Sequence, residues 1–253
     1  MSTVLNNMNM ENLITEDDEP VDNIFSEKQQ RLLGAPLYKN WNSRGRRFLA
    51  LANVGIFDSR LENKVIVPDV FLSMDVSLTK EKWIKEHKSY IMAQFKKAPE
   101  IVIEIVSNTI GAEEGKKKQE YAALGVRYYV VFDPMQEINK QVLSIYQLDK
   151  QKKYQAYIGA IFPGIGLGLK LWEGIYEDKS AFWLRWVDEQ GKMIPTGDER
   201  ADVAEERAEL AEKQSAKDKE RAELAEKQSA KDKEYTDKMA AMLRQMGIDP
   251  SKL

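Results

Sequence analysis

Two carboxylates lie inside apolar segments that are typical of buried strands. Asp69 interrupts the run Val65–Leu72, and Glu104 interrupts the run Ile101–Val106. A strand that is apolar on both faces is usually covered on both sides, so an ionised carboxylate within it has to be paired, protonated or bound to a cation. Two such residues predict one shared site that holds a divalent ion such as Mg²⁺ through hard oxygen ligands.

The main chain next to Glu104 adds a further oxygen to such a site. Ions of this kind accept carbonyl as well as carboxylate oxygens, so the functional interpretation takes Asp69, Glu104 and the carbonyl of Ile105 as the metal ligands. The alternative is structural: each carboxylate caps a strand end or pairs with an arginine, such as Arg46 or Arg127. That alternative would be preferred for one isolated carboxylate, whereas two in the same setting favour the ion site.

A lysine with an inward position follows the second carboxylate. The segment Ala112–Leu124 predicts a helix that Gly125 closes. Lys117 lies seven residues before Leu124 and four before Tyr121, so these three side chains share one stripe of the helix. An inward lysine beside the carboxylates can orient a nucleophile and neutralise the charge that develops on a transferred phosphoryl group.

The neighbours of Lys117 are expected to behave differently. Lys116 and Lys118 lie about 100° to either side of it on a helix, which predicts contact with solvent or with phosphate groups. Glu113, one turn earlier, is expected to hold the ammonium group in place, and Tyr121 to support the site from the same face. The alternative for the whole segment is an ordinary lysine-rich surface turn.

The remaining pattern of helices and strands predicts an α/β (α+β) fold, in which a central mixed sheet is flanked by helices. The strand after Pro99, the helix that follows and the next strand form a β-α-β unit. Ile24–Leu33 is expected to be a short helix ending at Gly34. The predicted strands are Lys64–Leu72, Ile101–Val106, Arg127–Phe132, Val142–Leu148, Tyr154–Ile158, Leu167–Trp172 and Trp183–Val187, and Phe48–Val54 is a strand or a helix.

Residues Ser77–Ala98 interrupt this pattern. The segment mixes the aromatic residues Trp83, Tyr90 and Phe95 with His87 and several lysines. Such a mixture predicts an amphipathic helical insertion that serves as a lid or as a partner surface.

The amino-acid composition excludes some kinds of metal site and bears on nucleic-acid binding and on the cellular location. The chain has 253 residues, no cysteine and one histidine, which excludes thiolate sites and the usual imidazole-rich zinc site. A net charge of -3 does not indicate a nucleic-acid binder, although local lysine and arginine clusters can still bind phosphate. The longest apolar stretch, Ala156–Leu169, is too short to span a bilayer. The N-terminus lacks the order of a secretion signal, so we expect a cytoplasmic protein without a membrane segment.

A change of composition near Thr196 predicts a domain boundary. Glycine, aromatic and β-branched residues become scarce after this point, whereas Ala, Glu, Lys and Asp become frequent. The predicted organisation is a loose N-terminus (1–19), a folded domain (20–196) and a charged helical or coiled-coil tail (197–253).

The tail contains an internal repeat. The block ERAELAEKQSAKDKE begins at Glu206 and again at Glu220, a shift of 14 residues or two heptads. Alanines follow the 3-4 spacing of a coiled-coil seam, but serines and aspartates, including Asp218 and Asp232, interrupt it. Two interpretations therefore stay open, a solvated single helix and a weak device for forming a homo-oligomer.

The motifs described above also occur in a fixed order. They are Val67–Val70, Pro99, Ile103–Ser107, Glu113–Lys117, Tyr121, Gly125–Val126 and Tyr128–Pro134. Together they resemble the bacterial Uma-type restriction endonuclease family, which is placed in the PD-(D/E)xK nuclease superfamily. The resemblance runs from about Phe25 to Pro195, which is most of the chain.

The resemblance implies a restriction-endonuclease-like fold and an endonuclease that hydrolyses DNA with Mg²⁺, or with Mn²⁺ in its place. It implies Asp69 and Glu104 as catalytic metal ligands. The superfamily lysine expected two residues after the glutamate is replaced by Val106, so its catalytic role passes to the following helix, where Lys117 takes the position. The alternative function is a catalytically silent protein of this fold that uses the insertion and the tail to bind a partner or a second copy.

Overall fold

The computed structural model describes residues 23–61, 65–78, 89–106, 113–138 and 140–247. The chain divides into two compact units, Met1–Gly197 and Asp198–Leu253. The predicted loose N-terminus (1–19) lies outside the described residues, as do Trp83 and His87 of the predicted insertion. None of the helices in the described ranges combines the length and the apolar character that crossing a bilayer requires.

The described residues of the first unit form three α-helices, a 3-10 helix at Ser59–Leu61 and twelve strands. The helices are α1 (Ile24–Asn40), α2 (Met92–Phe95) and α3 (Lys118–Leu124), the last preceded by a π-helical turn at Glu113–Lys117. The strands are β1 (Phe48–Ala52), β2 (Ile56–Phe57), β3 (Val65–Ile66), β4 (Val70–Met74), β5 (Tyr90–Ile91), β6 (Ile101–Ile105), β7 (Tyr128–Phe132), β8 (Leu143–Leu148), β9 (Tyr154–Ala156), β10 (Ile161–Phe162), β11 (Leu167–Tyr176) and β12 (Lys179–Asp188).

A six-stranded mixed sheet forms the centre of this unit. Its strand order is β1-β4-β6-β7-β8-β9. Strands β6 and β7 run parallel, whereas every other neighbouring pair in the sheet is antiparallel. The π-helical turn and α3 lie between β6 and β7 in the chain. The predicted mixed sheet and the predicted β-α-β unit are therefore confirmed.

Alternation along the central strands separates two apolar layers. Ile101, Ile103 and Ile105 of β6 face a layer that includes residues of α1 and of the smaller sheet β10-β11-β12. Val102 and Val106 face the other layer, which includes Tyr121 and Leu124. Because side chains alternate along a strand, Glu104 shares the face of Val102 and Val106. Its carboxylate is thereby directed toward α3.

Helix α1 is longer than predicted, because it continues through Gly34 and Pro36 to Asn40. Leu33 and Leu37 are one turn apart and fully buried. The hydroxyl of Tyr38 accepts a hydrogen bond from the backbone N–H of Ala50 at 2.9 Å. Tertiary packing of this face outweighs the poor helix propensity of glycine and proline.

The strand expected at Lys64–Leu72 is two strands, β3 and β4, and Asp69 lies in the bend between them. Asp69 is half-buried and does not interrupt an apolar strand, so that part of the prediction is wrong. The structural reason is Pro68, which has no backbone N–H to donate to a sheet and favours an irregular position.

The described part of the predicted helical insertion contains a short strand, β5, as well as the four-residue helix α2. Tyr90 of β5 is 1% exposed, stacks on Phe95 at 4.4 Å between ring centroids and shares a 2.8 Å hydroxyl contact with Ser73. A partner surface that uses Tyr90 is therefore wrong, because an aromatic side chain with these contacts belongs to the core.

The second unit is described almost entirely by one helix, α4 (Gly197–Gln245), of 49 residues. None of the residues of this helix is buried. The turn after it contains Gly247 with a φ of +77°, a conformation that glycine adopts at helix ends.

Candidate active site

The register of the central sheet brings Asp69 and Glu104 to the same end. Val70 of β4 pairs with Ile103 of β6 in an antiparallel ladder, so the preceding residue Asp69 lies opposite the following residue Glu104. The backbone N–H of Ile105 donates a 2.6 Å hydrogen bond to Oδ2 of Asp69. Two carboxylates that are 35 positions apart in the chain are therefore neighbours in space.

Glu104 is a buried carboxylate with two side-chain donors. Only 1% of its surface is exposed. Its Oε2 accepts from Nζ of Lys117 at 2.9 Å, and its Oε1 accepts from the hydroxyl of Tyr121 at 2.6 Å. Removal of a carboxylate from water is unfavourable unless hydrogen bonds and opposite charge replace the solvent. The cation and the hydroxyl together stabilise Glu104 in its buried position.

Both donors come from the helical segment between β6 and β7. Lys117 ends the π-helical turn and Tyr121 follows it by four residues in α3, so the two side chains project from the same face. Single π-helical turns occur often at functional sites because they change the direction of the side chains that follow. Gly125 ends the helix at a φ of +85°, and the chain then enters β7 beside β6.

Lys117 connects the buried site with solvent. Its side chain is 31% exposed, whereas the Glu104 side chain to which it is bonded is 1% exposed. An ammonium group has three donors. One donor is directed to Glu104, and the side chain lies partly at the surface of the protein.

Tyr121 donates from a fully protonated hydroxyl. Burial, reinforced by the negative charge of Glu104, raises the pKa of Tyr121 well above its ordinary value of 10.0. The ring packs 5.5 Å from that of Tyr129, between centroids. Tyr121 therefore acts as a hydrogen-bond donor to Glu104 throughout the neutral pH range.

Two amide side chains that sequence reasoning missed lie next to Asp69. Nε2 of Gln30, in α1, is 3.4 Å from Oδ1 of Asp69 and 3.3 Å from Oδ1 of Asn53. Nδ2 of Asn53 donates in turn to Oε1 of Gln30 at 3.0 Å. Polar side chains in a helix usually face solvent, and no local pattern marks Gln30 as different. The only signal available is the pair Gln29–Gln30 between apolar positions of the same helix.

The oxygen atoms at this end of the sheet suit a hard divalent ion. The N–H and C=O groups of one strand residue point to the same side of the strand, so the carbonyl of Ile105 lies on the side where its N–H meets Asp69. Two carboxylates and one carbonyl are the ligand types that Mg²⁺ and Mn²⁺ accept, and water completes such sites. Within the residues that the structure describes, no group of three or more His, Asp or Glu side chains forms a metal cluster.

Other residues that the sequence associated with the site lie elsewhere. Arg46 pairs with Asp75 at 2.7 Å, and Arg127 contacts the carbonyl of Pro163, so the alternative in which one of these arginines pairs with Asp69 or Glu104 is wrong. Lys118 is half-buried, and its Nζ lies 3.3 Å from the centre of the Tyr146 ring, which is a contact that the sequence did not predict. Lys116 is exposed, as predicted. The side chain of Glu113 lies outside the described atoms.

Comparison with known proteins gives one family. The family model Uma2, described as "Putative restriction endonuclease", matches residues 17–159, which is more than half of the 253-residue chain. The match includes the bend that carries Asp69, the strand that carries Glu104 and the helix that carries Tyr121. Among curated proteins none matches this chain.

Proposed function

Since the chain belongs to the Uma2 family of restriction-endonuclease-type proteins, we propose that it hydrolyses phosphodiester bonds of DNA with a divalent metal ion, Mg²⁺ or Mn²⁺. The observation that carries the proposal is the contact of Lys117 with buried Glu104, at 2.9 Å, beside the opposed carboxylate of Asp69. Two acids and a partly exposed amine at one sheet end suit phosphoryl transfer.

In this proposal Asp69, Glu104 and the carbonyl of Ile105 hold the ion. The bound ion supplies Lewis acidity toward water and toward the phosphate group. A carboxylate offers about four lone-pair positions over its two oxygens. Glu104 can therefore keep its hydrogen bonds from Lys117 and Tyr121 and still serve as a ligand.

Lys117 has the role of stabilising charge. The leaving oxygen gains negative charge as its bond to phosphorus breaks, and a preorganised ammonium group lowers the energy of that state. The hydrogen bond to Glu104 fixes the position of Nζ before substrate binds, and the 31% exposure of the side chain places it where a phosphate group can approach from solvent. Tyr121 acts indirectly, because it fixes the orientation of Glu104.

A plasmid-cleavage assay tests this proposal. Supercoiled DNA is incubated with the full-length chain and Mg²⁺ or Mn²⁺, and nicked and linear products are measured. Asp69→Asn is expected to abolish cleavage, while Asp178→Asn, which changes an exposed carboxylate of the β11–β12 turn, is the matched control for purity and is expected to cleave normally. Equal cleavage by the wild type and Asp69→Asn would exclude the mechanism.

A second function, assembly through the tail, is supported by the surface of α4. Tyr235, Met239, Met242 and Met246 are exposed near its C-terminal end at spacings of four, three and four residues, which is the pattern of a helix face that binds another helix. Truncation after Gly197 tests it by mass measurement in solution. A lower oligomeric state of the truncated chain supports assembly, and an unchanged state contradicts it. We also keep as proposals the cytoplasmic location and the domain boundaries at residues 19 and 196 that the sequence predicts.

A further inference from the structure

Gln30 is a polar side chain in the buried face of α1. Only 5% of its surface is exposed. Its amide forms a reciprocal pair with that of Asn53, with Asn53 Nδ2 to Gln30 Oε1 at 3.0 Å and Gln30 Nε2 to Asn53 Oδ1 at 3.3 Å. The second hydrogen on Gln30 Nε2 is directed to Oδ1 of Asp69 at 3.4 Å. A buried amide with these contacts touches the candidate metal ligand itself.

We propose that Gln30 is a positioning residue that fixes the carboxylate of Asp69 for divalent-ion binding, a role that rests on the proposed function. Rotation of an aspartate carboxylate about χ2 is only weakly restricted by the side chain itself. Here each oxygen has its own donor, the N–H of Ile105 on Oδ2 at 2.6 Å and the amide of Gln30 on Oδ1 at 3.4 Å. Donors on both oxygens define one rotation of the carboxylate.

The chemical type of the side chain matters as much as its place. An amide donates a hydrogen bond without a formal charge. A lysine or arginine at this position would neutralise Asp69 and compete with a cation, whereas a glutamate would place a third carboxylate against it. Gln30 orients Asp69 and leaves its negative charge available to an ion.

The orientation of the amide follows from its partners. With Nε2 toward Asp69, every acceptor of the cluster meets a donor, whereas the flipped amide would direct Oε1 at an acceptor oxygen. Asn53 is held by its backbone, because its N–H donates to the carbonyl of Asp69 at 3.1 Å and its φ is +52°, a left-handed conformation that asparagine tolerates. The partner of Gln30 is therefore fixed by the same bend that carries Asp69.

The neighbouring glutamine offers a matched control. Gln29 is fully buried in the same helix, but its amide binds the backbone of Leu184 in β12, accepting from N at 2.9 Å and donating to O at 2.8 Å. The indole N–H of Trp186 also donates to the carbonyl of Leu33 at 2.7 Å. These bonds attach α1 to the smaller sheet independently of Gln30. Gln29 thus reports the effect of losing a buried amide that does not touch the site.

Titration calorimetry with Mn²⁺ alone, on full-length protein, tests the proposal. Gln30→Met keeps the volume and removes the donor, so Mn²⁺ affinity is expected to fall about tenfold, since a hydrogen bond to a charged group contributes somewhat more than a neutral one. Gln30→Ala removes the same donor without adding a charge, and Mn²⁺ affinity is expected to fall in this variant as well. Gln29→Met is expected to lower the unfolding temperature and leave Mn²⁺ affinity unchanged.

The outcomes distinguish a failure of the positioning role of Gln30 from a failure of the metal site itself. If the wild type binds Mn²⁺ but both Gln30 variants bind it with wild-type affinity, Gln30 is only structural and the positioning role is overturned while the proposed function stands. If the wild type does not bind Mn²⁺, the metal site itself is overturned, and the positioning role with it. Should Gln30→Met fail to fold, Gln30→Ala decides the question, because it removes the same donor with less demand on packing; Mn²⁺ affinity equal to the wild type in that variant would overturn the positioning role.

Discussion

The hydroxyl of Tyr121 donates a 2.6 Å hydrogen bond to Oε1 of Glu104, and both side chains are at most 1% exposed. A short bond from a neutral donor to a buried carboxylate is charge-assisted and stronger than a neutral pair. The carboxylate in turn keeps the hydroxyl protonated, because its charge adds to the effect of burial on the pKa of Tyr121. Tyr121 thus stabilises the buried carboxylate of Glu104, and Glu104 keeps the hydroxyl of Tyr121 protonated.

Tyr121→Phe is expected to lower the free energy of unfolding by about 1.5 to 3 kcal/mol, because it removes a hydrogen bond to a charged group and leaves Oε1 of Glu104 without this donor. Denaturation by urea measures the change. Tyr154→Phe is the control, since Tyr154 donates to a neutral carbonyl, that of Val126, at 2.8 Å, and about 0.5 to 1.5 kcal/mol is expected there. A smaller loss for Tyr121→Phe than for Tyr154→Phe would contradict the assignment of a charged acceptor.

Lys117→Met is expected to reduce DNA cleavage by about 100-fold or more, the usual effect of removing a donor that stabilises transition-state charge. Lys116→Met removes an equal charge from the adjacent exposed position and is expected to retain most of the activity. Single-turnover cleavage rates at saturating metal make the comparison. Similar losses in both variants would indicate that the lysines only attract DNA and that Lys117 has no special position.

The ion-pair cluster of Glu177 predicts a dependence of stability on pH. The hydrogen bond from Lys28, and with it that from Arg31, lowers the pKa of Glu177 below its ordinary value of 4.5. A carboxyl group whose pKa is depressed in the folded state contributes stability that is present above the unfolded-state pKa and is lost as pH falls through the folded-state pKa. The wild type is therefore expected to be more stable than Glu177→Gln at pH 7, and the difference to shrink below about pH 4.5.

Thermal unfolding of both proteins between pH 7 and pH 3 measures this difference. Glu173→Gln changes an exposed carboxylate on the same hairpin and is the control for a general effect of charge. A difference between wild type and Glu177→Gln that grows toward low pH would show that the cluster does not stabilise the ionised carboxyl group.

Periodicity predicts the part of the site that is local in sequence. The four-residue spacing of Lys117 and Tyr121 places both on one helix face, and the isolated charge of Glu104 in an apolar strand predicts its burial, which is observed. Both features belong to one strand and one helix that are adjacent in the chain. They can be predicted because the direction of a side chain in a helix or strand follows from backbone geometry.

The rest of the site depends on contacts between distant segments. Asp69 lies in a bend before β4, and the register with β6, which no local pattern encodes, brings it opposite Glu104. Gln30 reaches Asp69 because α1 packs on the central sheet. Tertiary packing decides both arrangements and overrides local propensity.

Titration of Mg²⁺ or Mn²⁺ into the wild type and into Glu104→Gln, followed by calorimetry, tests whether Glu104 is a metal ligand. The substitution keeps the size of the side chain and removes the charge on which ion binding depends. We expect the wild type to bind the ion saturably and Glu104→Gln to show no saturable binding, with both proteins folded by circular dichroism. Equal affinity of the two folded proteins would contradict the assignment of Glu104 as a metal ligand and, with it, the proposed nuclease site.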